Sequence, residues 1–214
     1  MRKTLYLSFA LILASCGIDL GNAPRTGDLV FVGYPHQEAD SSMAGAIAAA
    51  TAAEDSLEIV HVGIIEICGD SVMVIDATGK RGVSRYPLDT MATEFTRSDG
   101  TAPTLIFKRL RNNSSAKEYI LNAKRLIGLP YDYAFAEGND AYYCSELVRE
   151  CYKDGDDYVF RNKPMNFKSP DGSFPEYWVK LFAKLGVPIP QGKPGTNPRD
   201  MMRDSSLVDV SSVR

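Results

Sequence analysis

The chain has 214 residues, of which 44% are hydrophobic and 24% charged, with a formal net charge of −3. That length and apolar content suit one globular domain with a real core. The slight negative charge offers no broad basic surface for polyphosphate, which argues against nucleic acid as the main partner. The chain holds two histidines and four cysteines, with no CxxC or Cys/His cluster, so neither a zinc site nor any other metal or organic cofactor is expected.

At the N-terminus, Arg2 and Lys3 precede an apolar run from Leu5 to Leu13, long enough for an export signal and too short for a comfortable membrane span. Leu13-Ala14-Ser15-Cys16 comes next and resembles the bacterial lipobox, in which the signal is cut before a cysteine that then takes lipid. The expectation is a signal peptide over residues 1–15, lipid attachment at Cys16, a tether over 16–26 and one domain over 27–214, held at a membrane of the bacterial envelope. Cys68, Cys144 and Cys151 then remain, an odd number for an exported chain. Cys144 and Cys151 on one helix would lie about 10 Å apart along its axis and could not bridge. A Cys68–Cys151 disulfide and buried free thiols both stay open.

Gly27 and Asp28 read as a turn into a strand Leu29–Val32, broken by Gly33-Tyr34-Pro35-His36-Gln37. Ser41 to Glu54 is Ala-rich and predicts a small-sided helix lying close to the sheet. The clearest hairpin runs from Leu57–Ile67 through Gly69-Asp70-Ser71 into Val72–Ala77. On it, His61, Gly63, Ile65 and Ile67 share one face, and so do Val72, Val74 and Asp76, which brings His61 and Asp76 to the same open end. Lys80–Leu88 reads as an irregular crossing or short strand, Asp89–Glu94 as a helical turn and Thr104–Leu110 as a strand. A further helix runs from Ser114 to about Ile127, closed by Gly128 and Pro130. Asp154–Gly172 is polar and loop-rich, and Phe174–Leu185 predicts a helix with Trp178, Leu181 and Phe182 inward. The tail from Arg199 is expected to pack as a last strand or fray.

The chemistry centres on Ala141–Cys151, a predicted helix whose first turn carries Cys144. A helix N-terminus concentrates unpaired N–H groups and the positive end of the dipole, and both favour a thiolate. Acyl transfer by cysteine also needs a base and a group that orients it. His61, in an apolar strand with Asp76 on the next one, supplies both.

These residues resemble the NlpC-type cell-wall cysteine peptidases, which have a reduced papain-like fold. In that family an Asp-Cys-Ser-Gly-Leu-Val-like helix start precedes a Gly-Asp-Leu-Val-Phe-like strand, a His-Val-Gly-Ile strand and a strand ending in a polar residue. Here Gly27–Phe31, His61–Ile64 and Ile75–Ala77 keep that order, but Tyr143-Cys144-Ser145-Glu146-Leu147-Val148 comes after them. The chain therefore resembles a circularly permuted member, and Ala46–Thr51 with Gly128–Asp132 makes it similar to the YiiX-like branch. The resemblance covers about residues 27–152.

It implies an α+β permuted papain-like fold, with an antiparallel sheet packed against helices and the nucleophilic Cys at a helix N-terminus. Cys144 would be the nucleophile, His61 the general base and acid, and Asp76 the orienting acid. The implied substrate is a peptide, cell-wall derived, cut at an amide through a thioester. A lipid acyltransferase or lipid-ester hydrolase of the same permuted fold, and a non-catalytic binding module, are the alternatives. Tyr131, Tyr142 and Tyr143 are candidates for lining the substrate cleft, with Tyr133 and Phe135 in the same aromatic loop. Tyr142 and Tyr143 are candidate oxyanion donors beside the Cys144 N–H. Glu146 and Glu150 are expected on a solvated helix face, Glu66 should point away from His61, and Asp28 is most simply a turn residue.

Overall fold

Leu29–Pro35 (β1) is apolar on both faces and almost wholly buried, as expected of a strand with neighbours on each side and layers above and below it. In the computed structural model, which describes residues 23–35, 42–51 and 57–210, it lies at the centre of the sheet. Leu57–Cys68 (β2), Ser71–Thr78 (β3) and Gly82–Pro87 (β4) continue on one side. Thr104–Leu110 (β5) and Leu207–Val210 (β10) lie on the other, giving the order β10-β5-β1-β2-β3-β4, antiparallel throughout. The predicted hairpin is β2–β3. The segment read as an irregular crossing or short strand is the regular strand β4, paired to β3 along its length.

Helices Met43–Ala50 (α1), Leu88–Glu94 (α2), Ala116–Arg125 (α3), Cys144–Cys151 (α4), Glu176–Leu185 (α5) and Pro198–Met202 (α6) complete the domain, with short ladders Lys153–Asp154 (β6) with Asp157–Tyr158 (β7) and Lys163–Pro164 (β8) with Pro194–Gly195 (β9). Ser42 caps α1 by accepting from the Gly45 N–H at 3.1 Å, and Gly186, at φ 70°, ends α5 in the left-handed conformation that favours glycine. Of the two readings for the tail from Arg199, the last strand is present as β10, with α6 before it.

The core has three parts. On one face of the sheet, α3 and α4 set Tyr119, Ile120, Leu147 and Val148 against Leu29, Phe31, Val62, Ile64 and Ile75. On the other, Met91 of α2 and Ala48 of α1 cover Val30, Val32, Ile65 and Val74. A third, aromatic cluster of Phe167, Trp178 and Phe182 with Phe135 is built largely from the segment after residue 152, where no family motif is legible.

Asp28 is more than a turn residue. Its carboxylate is fully buried and takes both Arg109 Nε and Nη2 at 2.7 Å, pinning the start of β1 to β5. Cys68 is exposed at the hairpin end while Cys151 is buried at the end of α4, and both are free thiols, so no disulfide joins them. The export signal, Cys16, most of the tether and His36 lie outside the described residues. Among the described residues no helix is long and apolar enough to cross a membrane.

Candidate active site

Tyr143 is extended at φ −90° and ψ 167° and serves as the N-cap of α4, so Cys144 is the first helical residue. Glu146 reaches back and accepts from the Tyr143 N–H at 3.4 Å. The thiol therefore sits where free N–H groups and the helix dipole meet. Glu146 is not on a solvated face: it is 7% exposed, and burial, with the charge of Asp132 next, pushes its carboxyl up to about 8.

α4 packs on β2 and β3, the strands that carry the other two predicted residues. Val32 pairs with His61 but Gly33 with Ile59, so Val60 is an extra residue and β2 bulges immediately before the histidine. Such a bulge changes the phase of the strand and re-aims the side chains beyond it. His61 Nε2 lies 2.7 Å from Asp76 Oδ2, on a carboxylate with no solvent exposure. Gly63 leaves room beside that carboxylate: a Cβ there would come within 3.3 Å of Asp76 Cβ and 2.6 Å of Val74 Cγ1.

With Nε2 engaged by Asp76, Nδ1 is the ring nitrogen not taken by the carboxylate, and α4, which begins with Cys144, packs on the strand that carries the ring. Burial opposes the charged ring. The neighbouring Cys144 and the Asp76 carboxylate outweigh it and carry His61 up to about 10. The order is a thiol at a helix start, an imidazole, and a buried carboxylate bonded to that imidazole.

Two residues that sequence reasoning missed complete this environment. The Tyr86 hydroxyl donates to the same Asp76 Oδ2 at 2.6 Å, and burial beside that carboxylate raises the phenol well above its usual range. Phe95 lies over the imidazole with ring centroids 4.6 Å apart, held in place by the Tyr34 hydroxyl, which donates to its carbonyl. Asp76 Oδ1 has no hydrogen-bond partner among the described residues. Alternation could have found Tyr86, because β4 places it on the same sheet face as Asp76, but only once Lys80–Leu88 is given a strand register.

The sulfur opens into a cleft of about 330 Å³. Tyr131 and Tyr143 line it; Tyr142 does not, and instead lies near Glu150 and Cys151. The Tyr143 hydroxyl accepts from the Thr196 N–H at 3.0 Å, an anchor between β9 and the start of α4. Tyr131 is different: among the described residues its hydroxyl meets a weak acceptor, Met43 Sδ at 3.5 Å, and burial together with the neighbouring Cys144 raises its phenol well above the usual range. Its O–H is thus weakly engaged in a cleft wall shared with Cys144. Tyr133 donates to the Gly79 carbonyl at 3.0 Å, outside the cleft, whereas Phe135 is in its wall. Glu66 is held by Arg85 at 2.7 Å and Lys124 at 2.5 Å, away from His61.

Comparison with known proteins agrees with this fold. An Escherichia coli K12 protein named as uncharacterised protein YiiX is 27% identical over 191 residues, spanning 88% of this chain and 86% of that protein. A crystal structure described as metalloprotein YiiX from Escherichia coli O157:H7 superposes with a TM-score of 0.67 at 25% identity, covering 89% of this chain and 98% of that one. In this chain no three His, Cys, Asp or Glu side chains among the described residues gather as metal ligands. Residues 23–211 match the family model described as permuted papain-like amidase enzyme, YaeF/YiiX, C92 family, a span that takes in the segment after residue 152. The chain therefore belongs to the permuted papain-like amidase family, whose members are cysteine amidases and peptidases.

Proposed function

We propose that this cysteine amidase hydrolyses an amide in a peptide, with cell-wall peptides as the substrate class, through Cys144, His61 and Asp76. The observation that carries the reading is a thiol at the N-terminus of the helix that packs on two strands carrying an imidazole and, bonded to it at 2.7 Å, a fully buried carboxylate. The Cys144 thiolate attacks the carbonyl carbon, and the developing oxyanion is met by the Cys144 N–H and the Tyr131 hydroxyl. The His61 imidazolium gives its proton to the leaving nitrogen as the C–N bond breaks, leaving a thioester. His61, now neutral, takes a proton from water, whose oxygen attacks the thioester, and the acid leaves as Cys144 returns to thiolate. Asp76 holds the ring tautomer throughout, with Tyr86 fixing the carboxylate. The lipobox reading of Cys16 supports the substrate class, because it would hold the domain at the envelope surface.

The test is iodoacetamide labelling at neutral pH, followed by turnover panels of peptides, lipid esters and acyl donors. Fast modification confined to Cys144, lost in His61→Ala, together with peptide amide hydrolysis, is the expected result. Labelling no faster than a model thiol removes the activated pair, and turnover of esters alone removes the amidase assignment.

A further inference from the structure

The cleft above Cys144 has two chemically different sides. One is aromatic and apolar, formed by Phe135, Phe167 and Trp178 with Ile47 and Met165. This wall is pre-built. Phe135 holds a left-handed φ of 52°, a conformation that costs a non-glycine residue free energy. The Asp132 carboxylate secures that loop by accepting from the Ala134 N–H at 2.8 Å and the Ala136 N–H at 2.6 Å. Phe135 then meets Trp178 and Phe167 edge-on, each with centroids 5.5 Å away.

The other side runs from the β8–β9 ladder through α6 to its C-cap Arg203 and is polar. The described lining carries three cations, Lys163, Arg199 and Arg203, against one carboxylate, Asp200. Lys163 and Asp200 are 3.5 Å apart with side chains 62% and 42% exposed, a loose pair that an anionic ligand can exchange into. Arg199 and Arg203 have other interactions of their own. A guanidinium carries five N–H donors, so engagement elsewhere is compatible with holding a further carboxylate.

The volume limits what fits. At about 330 Å³ the cleft lies near the lower end of the roughly 300–1,000 Å³ span of ligand pockets. It suits one end of a short peptide.

We propose that the cleft selects the carboxyl-terminal end of a short peptide, with an apolar side chain against Phe135 and Trp178 and the free carboxylate against Arg203 and Lys163. Placed across Cys144, this specificity deepens the amidase reading and rests on it: water is consumed, the C–N bond near the free end is exchanged for C–O, and the proton goes to the departing amine.

Binding tests the specificity apart from turnover. The full chain carrying Cys144→Ala is titrated calorimetrically with N-acetyl-phenylalanyl-alanine and with its C-terminal carboxamide, each with L- or D-alanine. The acid is expected to bind at least about tenfold tighter than the carboxamide, the scale of one charge-assisted contact. Arg203→Gln, at an exposed position, removes that preference, and Lys163→Gln reduces it. Equal affinity for acid and carboxamide, or binding of neither, overturns the proposal. Hydrolysis of the carboxamide as fast as the acid by the unmodified enzyme also overturns it while leaving the amidase reading intact. An Arg203-dependent preference without hydrolysis of either compound supports the proposal and counts against the amidase reading instead.

Discussion

Replacing Asp76 by Asn tests the electrostatics of the site with almost no change of shape. Asn can still accept from His61 Nε2 and the Tyr86 hydroxyl through its carbonyl oxygen, which now lie 2.7 and 2.6 Å from Asp76 Oδ2, but it carries no charge. In the native protein the ring is carried from 6.5 to about 10, which corresponds to roughly 5 kcal/mol in favour of imidazolium. A charge-assisted hydrogen bond contributes about 1.5–3 kcal/mol, so losing Asp76 lowers the ring midpoint by about 1–2 pH units. The assay is NMR titration of isotope-labelled histidine, with His36→Gln to assign the only other imidazole. Linkage gives an independent measure. The stability due to the raised ring is fully present below pH 6.5 and is lost as pH rises through about 10, so urea unfolding of the native protein weakens across that window and Asp76→Asn flattens the loss. A native His61 titrating near 6.5, or an unchanged midpoint in Asp76→Asn, would refute the reasoning. Tyr86→Phe, which leaves the charge and removes one donor, should move the midpoint less than Asp76→Asn does.

The remaining predictions concern neighbours of the pair. Gly63→Ala places a methyl 2.6 Å from Val74 Cγ1 and 3.2 Å from Met91 Cε, and should cost about 1–3 kcal/mol, seen as a lowered Tm; a native Tm would show that the sheet yields without strain. Glu146 is pushed from 4.5 to about 8, so the stability it contributes is present below pH 4.5 and lost as pH rises through 8. Glu146→Gln should therefore be more stable than the native protein by a few kcal/mol at pH 9 and nearly equal at pH 4.5 by urea unfolding, and a constant difference at both pH values would contradict this. Tyr131→Phe should reduce kcat about 10²-fold with little change in KM and native iodoacetamide labelling of Cys144; an unchanged kcat would remove Tyr131 from the oxyanion site.

Legibility in the chain depends on which interactions are local. The hairpin, α4 with its leading cysteine, and α5 with Trp178 and Phe182 inward each declare themselves in periodicity, turn residues and caps, all set within a few residues. Strand alternation even brings His61 and Asp76 to the same open end, because a hairpin carries its own register. Other features are hidden. The bulge at Val60 exists only against β1, and Asp28 changes from turn residue to buried ion only when Arg109 arrives on β5. Glu146 lies at a position that one helix alone would solvate, and it is buried because the rest of the fold closes over α4.

The amino-acid order by itself determined the chemistry on offer: one thiol at a helix start, one strand histidine two positions before a glycine, and one carboxylate on the next strand, in permuted sequence. Tertiary structure decided how they are used. Tyr86 donating to the Asp76 carboxylate, Phe95 over the imidazole, and a cleft with an aromatic wall and a cationic side all come from segments far from Cys144 in the chain or brought to it by folding. Their side-chain types are commonplace, and only the packing of β4, α2, α5 and α6 around the sheet gives them a shared environment, which is why no local pattern announces them.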